Sequence, residues 1–307
     1  MSKTSTRTSS ASRPNTFPSS EPKTEYRLLG NWQLDSIAAI GTFTKLHAAR
    51  PTGCPADWPA DYVVKLLKTP HEGDDLAINL LRREAEVGKV VSDSHIVPIL
   101  DSRLDEAPYY LVMPRLNGAS VNHAIAAIGR IAVPQALWIT RQVATALKQM
   151  HKHEWVHADV KPSNIVVSPD GHATLIDFGC SLRSDESVLS WDRPVVGTLH
   201  YMAPEMLTTR ARIDSRSDVY SLGVTLFEML SGQLPFPQSS QTELIKAHLN
   251  ETPPDLTSLR SDIPRFVAEL VAQMLAKDPM KRPQTAKELI DRLIDLEIET
   301  LDIRVAA

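Results

Sequence analysis

The chain has 307 residues, with 37 Asp and Glu against 33 Lys and Arg for a formal charge of -4, and 42% of it is hydrophobic and 23% charged. That is a globular composition with room for about two domains, and mild acidity without a basic run excludes the electrostatic footprint of a nucleic-acid binder. No run approaches the ~18 apolar residues of a spanning helix, and the N-terminus lacks the apolar core of a signal sequence, so no membrane segment is expected. Cys54 and Cys180 are too far apart for a CxxC spacing, which disfavours a disulfide or structural zinc and fits a cytoplasmic location.

Residues 1–24 are dominated by Ser, Thr and Pro, with Phe17 the one large apolar residue after Met1. Such a segment buries too little apolar surface to offset its ordering entropy and is expected to be a disordered tail. Strands are predicted at Trp32–Ile40, Thr44–Ala49, Tyr62–Leu67, Ile96–Arg103 and Tyr109–Pro114, where β-branched or aromatic runs are bounded by turn residues. A Pro-rich hairpin loop spans 50–61. One helix interrupts the strands from about Asp74 to Val91, with Leu76, Leu80, Val87 and Val91 on one face. Beyond Gly118 the pattern turns helical: Val133–His151, then 217–231, 241–249, 263–276 and 284–298. Two short strands, Ile165–Val167 and Ala173–Ile176, flank the turn Ser168-Pro169-Asp170-Gly171. The fold class is therefore α+β, a small β-rich lobe (about 25–115) followed by a larger helical lobe (about 116–300).

Chemistry concentrates in His157-Ala158-Asp159-Val160-Lys161-Pro162-Ser163-Asn164, followed 13 residues after Asn164 by Asp177-Phe178-Gly179. Two carboxylates and an amide on polar turns beside short strands can gather around a divalent cation and a hydroxyl substrate. That layout suits phosphoryl transfer, where a protein mainly positions groups and neutralises charge.

These motifs, in this order, resemble the eukaryotic-type protein serine/threonine kinase family, in a compact form similar to its bacterial members, and the likeness covers about residues 32–295. The resemblance implies a protein-kinase-like bilobal fold, a small antiparallel sheet lobe with one helix joined to a larger helical lobe, within residues 25–300. It implies Lys65 as the lysine that holds the α- and β-phosphates and Glu84 as its ion-pair partner. Asp159 would be the catalytic base, Lys161 the contact to the transferred phosphate, and Asn164 and Asp177 the ligands of Mg²⁺, with Mn²⁺ as a substitute. Thr198, in Gly197–Glu205, would support the base and favour Ser/Thr substrates. ATP would lie under Ala39, Ile40, Gly41, Thr42, Phe43 and Thr44, between Leu46 and Val63 above and Val166 below. Met113 would be the gatekeeper, and the Pro114 carbonyl and Leu116 amide would meet adenine. Asp218 would hold the catalytic-loop backbone, and Arg282 would pair with Glu205. The implied partners are proteins carrying Ser or Thr, together with a regulatory protein.

Three departures from the family pattern carry expectations. The phosphate-covering loop keeps only Gly41 of three glycines, with Ala39 and Thr44 at the other two positions, which predicts weaker or slower nucleotide handling. Ala158 replaces an arginine that would pair with a phosphate on the activation loop, which predicts independence from phosphorylation of Ser184, Ser187 or Ser190. Gly88, one turn beyond Glu84, replaces an apolar residue and is expected to loosen the helix and its contact to Phe178. The alternative to an active enzyme is a pseudokinase that binds nucleotide or scaffolds. Retention of Lys65, Glu84, Asp159, Asn164 and Asp177 together argues against it.

Overall fold

The computed structural model describes residues 27–55, 57–184, 199–208 and 212–305, with side chains described through Leu301. The expected tail at 1–24, and Ser187, Ser190, Gly197 and Thr198, lie outside the described residues. The small lobe is built on strands β1 (Leu28–Leu29), β2 (Trp32–Ile40), β3 (Thr44–Pro51), β4 (Tyr62–Leu67), β5 (Asp101–Arg103) and β6 (Tyr110–Pro114). They form one antiparallel sheet in the order β1-β2-β3-β4-β6-β5. Alternation along β4 turns Val64 and Leu66 into a buried outer layer with Leu34, Ala49, Tyr110 and Val112, leaving Val63 and Lys65 on the opposite face.

Helix α1 (Asp75–Val90) crosses that opposite face. It starts where the Asp74 carboxylate accepts from the amides of Leu76 (3.0 Å) and Ala77 (3.4 Å), and it buries Ala77, Ile78, Leu81, Glu84, Ala85 and Val87. The helix is continuous through Gly88. A Cβ at Gly88 would stand 2.4 Å from Ile99 Cγ1, so the apolar volume missing from the helix is supplied by Ile99 from the following loop.

The strand expected over 96–103 is shorter: only Asp101–Arg103 joins the sheet. Pro98 has no N–H for a ladder, and the residues before it pair with the other lobe. Ile96 bridges Leu175 in parallel, Val97 N donates to Leu175 O (3.1 Å), and Leu175 N donates to His95 O (2.8 Å).

The large lobe comprises β7 (Ala119–Ser120), α2 (Val121–Ile128), α3 (Val133–Lys152), β8 (Trp155–Val156), β9 (Ile165–Val167), β10 (Ala173–Leu175), β11 (Leu182–Arg183), α4 (Ser215–Ser231), α5 (Gln241–Asn250), α6 (Leu256–Leu259), α7 (Arg265–Met274) and α8 (Ala286–Val305). Helix α4 is buried on almost every face and stops at Gly232 in the left-handed conformation (φ +78°). The Arg282 guanidinium grips the Glu205 carboxylate at 2.7 and 2.8 Å, both side chains buried, and the Ser217 hydroxyl donates to the same carboxylate at 2.7 Å. A single buried cluster runs from Leu67, Leu81 and Leu111 through Phe178 to Leu137, Tyr220 and Phe227, and so spans both lobes.

Candidate active site

Lys65 sits at the centre of β4, opposite Leu46 on β3 and Leu111 on β6. Its Nζ reaches Glu84 Oε2 of α1 at 2.6 Å and Asp177 Oδ1 at 2.9 Å, with 13% of the Lys65 side chain exposed and 1% of Glu84. Burial opposes the Lys65 charge, but the carboxylates of Asp177 and Glu84 outweigh it and hold the ammonium well above the ordinary lysine range. Burial pushes the Glu84 carboxyl up to about 7 against the pull of Lys65. Burial would also raise Asp177, but Lys65, with Lys161 behind it, holds that carboxyl below the usual carboxylate range. Glu84 Oε1 is buried and has no hydrogen-bond partner among the described residues.

The 13-residue spacing from Asn164 to Asp177 has a local cause. Strands β9 and β10 form a hairpin in which Ile165 faces Leu175, so Asn164 lies opposite Ile176, whose N–H donates to Asn164 O at 2.9 Å. Asp177 is the next residue, and its φ of +67° turns it out of the strand. Asn164 is 5% exposed, and its Nδ2 donates to Asp159 O (2.9 Å) and Asp159 Oδ2 (3.0 Å). The same Oδ2 accepts from Lys161 Nζ at 2.7 Å.

Preceding this turn, Ala158 also takes a left-handed φ of +62°, a conformation that costs a residue with a Cβ about 1–2 kcal/mol. Asp218 at the start of α4 counters it: Oδ2 accepts from His157 N and Oδ1 from Ala158 N, each at 2.9 Å, and His151 Nε2 lies 2.8 Å from Oδ2. The Ala158 methyl is buried in an apolar cluster with Val156, Leu182 and Ile213.

Gly41, Thr42, Phe43 and Thr44 of the β2–β3 turn line a cavity of about 330 Å³ together with Lys65, Glu84, Asp159, Lys161, Asp177 and Cys180. A larger cavity of about 570 Å³ lies between α2, α3 and α8; it is walled mainly by apolar groups such as Ile128, Trp138 and Leu301 and contains none of these ionised clusters. The turn over the smaller cavity closes with Gly41 N donating to Thr44 O at 2.9 Å. None of Ala39, Gly41 and Thr44 has a positive φ, so the two missing glycines leave no backbone strain here.

Ala39, Ile40, Leu46, Val63, Met113, Pro114, Leu116 and Val166 do not line the ionised cavity. Ile40 is 61% exposed. Leu46 pairs in register with Ala39 and with Lys65, Val63 faces Met113 across β4 and β6, and Val166 lies on β9. The Arg115 N–H donates to Asp61 O (2.8 Å), which makes Tyr62–Pro114 a non-hydrogen-bonded pair; the missing N–H of Pro114 therefore costs the β4 ladder nothing. Asn164 spends its NH₂ group on Asp159, so its amide oxygen remains to join Asp177, and two hard oxygen donors suit Mg²⁺.

Sequence reasoning missed Lys68. Its Nζ donates to Gly41 O at 2.5 Å and Thr42 O at 2.9 Å, and its N–H to Phe43 O at 2.9 Å. A lysine ending a strand is ordinarily a solvated charge, and no local pattern distinguishes this one.

A family model described as the protein kinase domain matches residues 54–293. The chain is 30% identical over 263 residues to the serine/threonine-protein kinase PrkC of Bacillus subtilis, covering 86% of this chain and 40% of that protein. It is 33% identical over 226 residues to the serine/threonine-protein kinase PknE of Mycobacterium tuberculosis (74% and 40%), and 31% identical over 277 residues to PknB of Mycolicibacterium smegmatis (88% and 44%). The chain thus spans about two-fifths of the length of these relatives.

Proposed function

The chain belongs to the protein kinase family, and on that premise we propose that residues 25–300 form a serine/threonine kinase that moves the γ-phosphoryl group of ATP to a protein Ser or Thr hydroxyl. The observation that carries this reading is the convergence of Lys65, Glu84, Asp159, Lys161 and Asp177 on one cavity. Asp159 accepts the substrate hydroxyl proton, its carboxylate held by Asn164 and Lys161. Lys65, charged and anchored by Glu84, binds the α- and β-phosphates. Asn164 and Asp177 hold Mg²⁺ or Mn²⁺, which supplies charge neutralisation on the phosphoryl oxygens when bound. Val63, Leu46, Met113, Leu116 and Val166 enclose the adenine, and Pro114 offers its carbonyl.

Thr198 is assigned to the support of the base by family pattern alone. The apolar packing of Ala158 supports a kinase that does not wait for activation-loop phosphorylation. Among the described residues no helix is long and apolar enough to cross a membrane. Use of ATP, and two cysteines that form no disulfide, Cys54 and Cys180, fit the cytoplasm.

The test is phosphotransfer from labelled ATP with Mg²⁺ to a generic basic protein, comparing the parent with Asp159→Asn. The expected outcome is a rate at least 10²-fold lower in the variant, and no lag in phosphatase-treated parent. A parent that binds ATP but transfers nothing would establish the pseudokinase instead, and a lag abolished by autophosphorylation would overturn the independence from the activation loop.

A further inference from the structure

The turn between β2 and β3 must present backbone N–H groups to phosphate, yet it lacks two of the glycines with which its family shapes that turn. Its tip is held from outside. Lys68, the residue after β4, gives two hydrogen bonds from one ammonium to the carbonyls of Gly41 and Thr42, and its backbone N–H takes the carbonyl of Phe43. Three consecutive carbonyls of the turn are thereby bound to one residue. The Phe43 ring meets the His71 ring edge-on at 5.2 Å, a second fastening to the segment that follows β4.

A planar trans peptide points its N–H opposite to its C=O. Fixing the carbonyls of Gly41 and Thr42 therefore fixes the N–H groups of Thr42 and Phe43 on the other side of the turn. Lys68 does not line the cavity, whereas Gly41, Thr42 and Phe43 do. The two amides have no acceptor among the described residues, and successive amides held in one concavity form an anion site.

We propose that Lys68 is a positioning residue for phosphate binding: by pinning the carbonyls of Gly41 and Thr42 it preorganises the Thr42 and Phe43 amides for the nucleotide phosphates, in place of the absent glycines. This rests on the kinase reading above. The pin settles the ordering entropy of the turn before ATP arrives, so its loss raises the concentration of ATP required and leaves the chemistry of bound ATP nearly intact.

The experiment uses the full chain and the variants Lys68→Met and Lys68→Arg. In the nucleotide-free protein, NMR order parameters at Thr42 and Phe43 are expected to fall from the rigid range, about 0.85, to below about 0.6 in Lys68→Met. KM for ATP is expected to rise about tenfold with kcat within twofold, while the affinity for adenosine, which has no phosphate, stays unchanged. Lys68→Arg restores KM to within about threefold of the parent. Unchanged order parameters, an unchanged KM, an equal loss for ATP and adenosine, or an arginine variant as impaired as methionine would each overturn the pin. A parent that orders Thr42 and Phe43 through Lys68 but transfers no phosphate overturns the kinase reading and, with it, this use of the pin; a parent that transfers phosphate indifferently to Lys68→Met overturns the pin alone.

Discussion

Lys65, Glu84 and Asp177 place one cation between a buried acid and an acid that faces the cavity with 44% of its side chain exposed, so their ionisation controls what the site can bind. Lys65 keeps its proton because two carboxylates outweigh the penalty of burial. Glu84 is the vulnerable member, since burial raises its carboxyl to about 7 and Asp177 adds a second negative charge nearby. The ion pair requires ionised Glu84, and the ionised fraction shrinks as pH drops through that value. A kcat/KM profile, which reports the free protein, is therefore expected to fall about tenfold per pH unit on its acid side, starting near pH 7. Glu84→Gln preserves shape while removing the titration, so the variant is expected to lose about 10²-fold at pH 8 and to show a flat profile down to pH 6. An acid limb that survives unchanged in Glu84→Gln would transfer the ionisation to another group.

Gly88 is governed by a contact between elements. In an isolated helix Gly88→Ala gains about 1 kcal/mol. In α1 the new Cβ would meet Ile99 Cγ1 at 2.4 Å and Ile99 Cβ at 2.8 Å, and overpacking of that kind costs about 1–3 kcal/mol. The expected result is a lower Tm for Gly88→Ala, and no further penalty when the same change is made in an Ile99→Ala background; a single variant that melts above the parent would show that the loop at Ile99 yields freely. This contact also marks what a sequence can reveal. Helices α1, α3 and α4 were legible because long amphipathic or apolar patterns carry their own period, and the Asn164–Asp177 spacing was legible because catalytic chemistry restricts the residue types. The elements missed were short: β1, β7, β8 and β11 are two residues each, α6 is four and α2 is eight. The strand expected at Ile96 is instead a strip joined to Leu175, a pairing decided by the other lobe. Lys68 was missed for a related reason, because its carbonyl partners lie 26 and 27 positions away.

The two lobes share one apolar core, and that has consequences for unfolding. Phe178, fully buried, stands in the cluster that includes Leu81 and Ala85 of α1 as well as Leu147 and Met150 of α3, and its ring meets His157 edge-on at 5.6 Å. The His95–Val97 strip adds backbone hydrogen bonds from the small lobe to β10. Neither lobe can open without exposing the cluster, so calorimetry of the parent is expected to give one transition with equal calorimetric and van't Hoff enthalpies. Phe178→Ala removes a fully buried side chain of the cluster that spans both lobes. Such a truncation costs about 3–5 kcal/mol, which corresponds to a drop of about 5–8 °C for a chain of this size. Because the lost volume lies at the junction, the small lobe is expected to melt first in the variant and to split the transition in two. A parent with two resolved transitions would show that the lobes fold independently; a variant that melts lower but still in a single step would assign their coupling to the strip at His95–Val97 and the β6 connection.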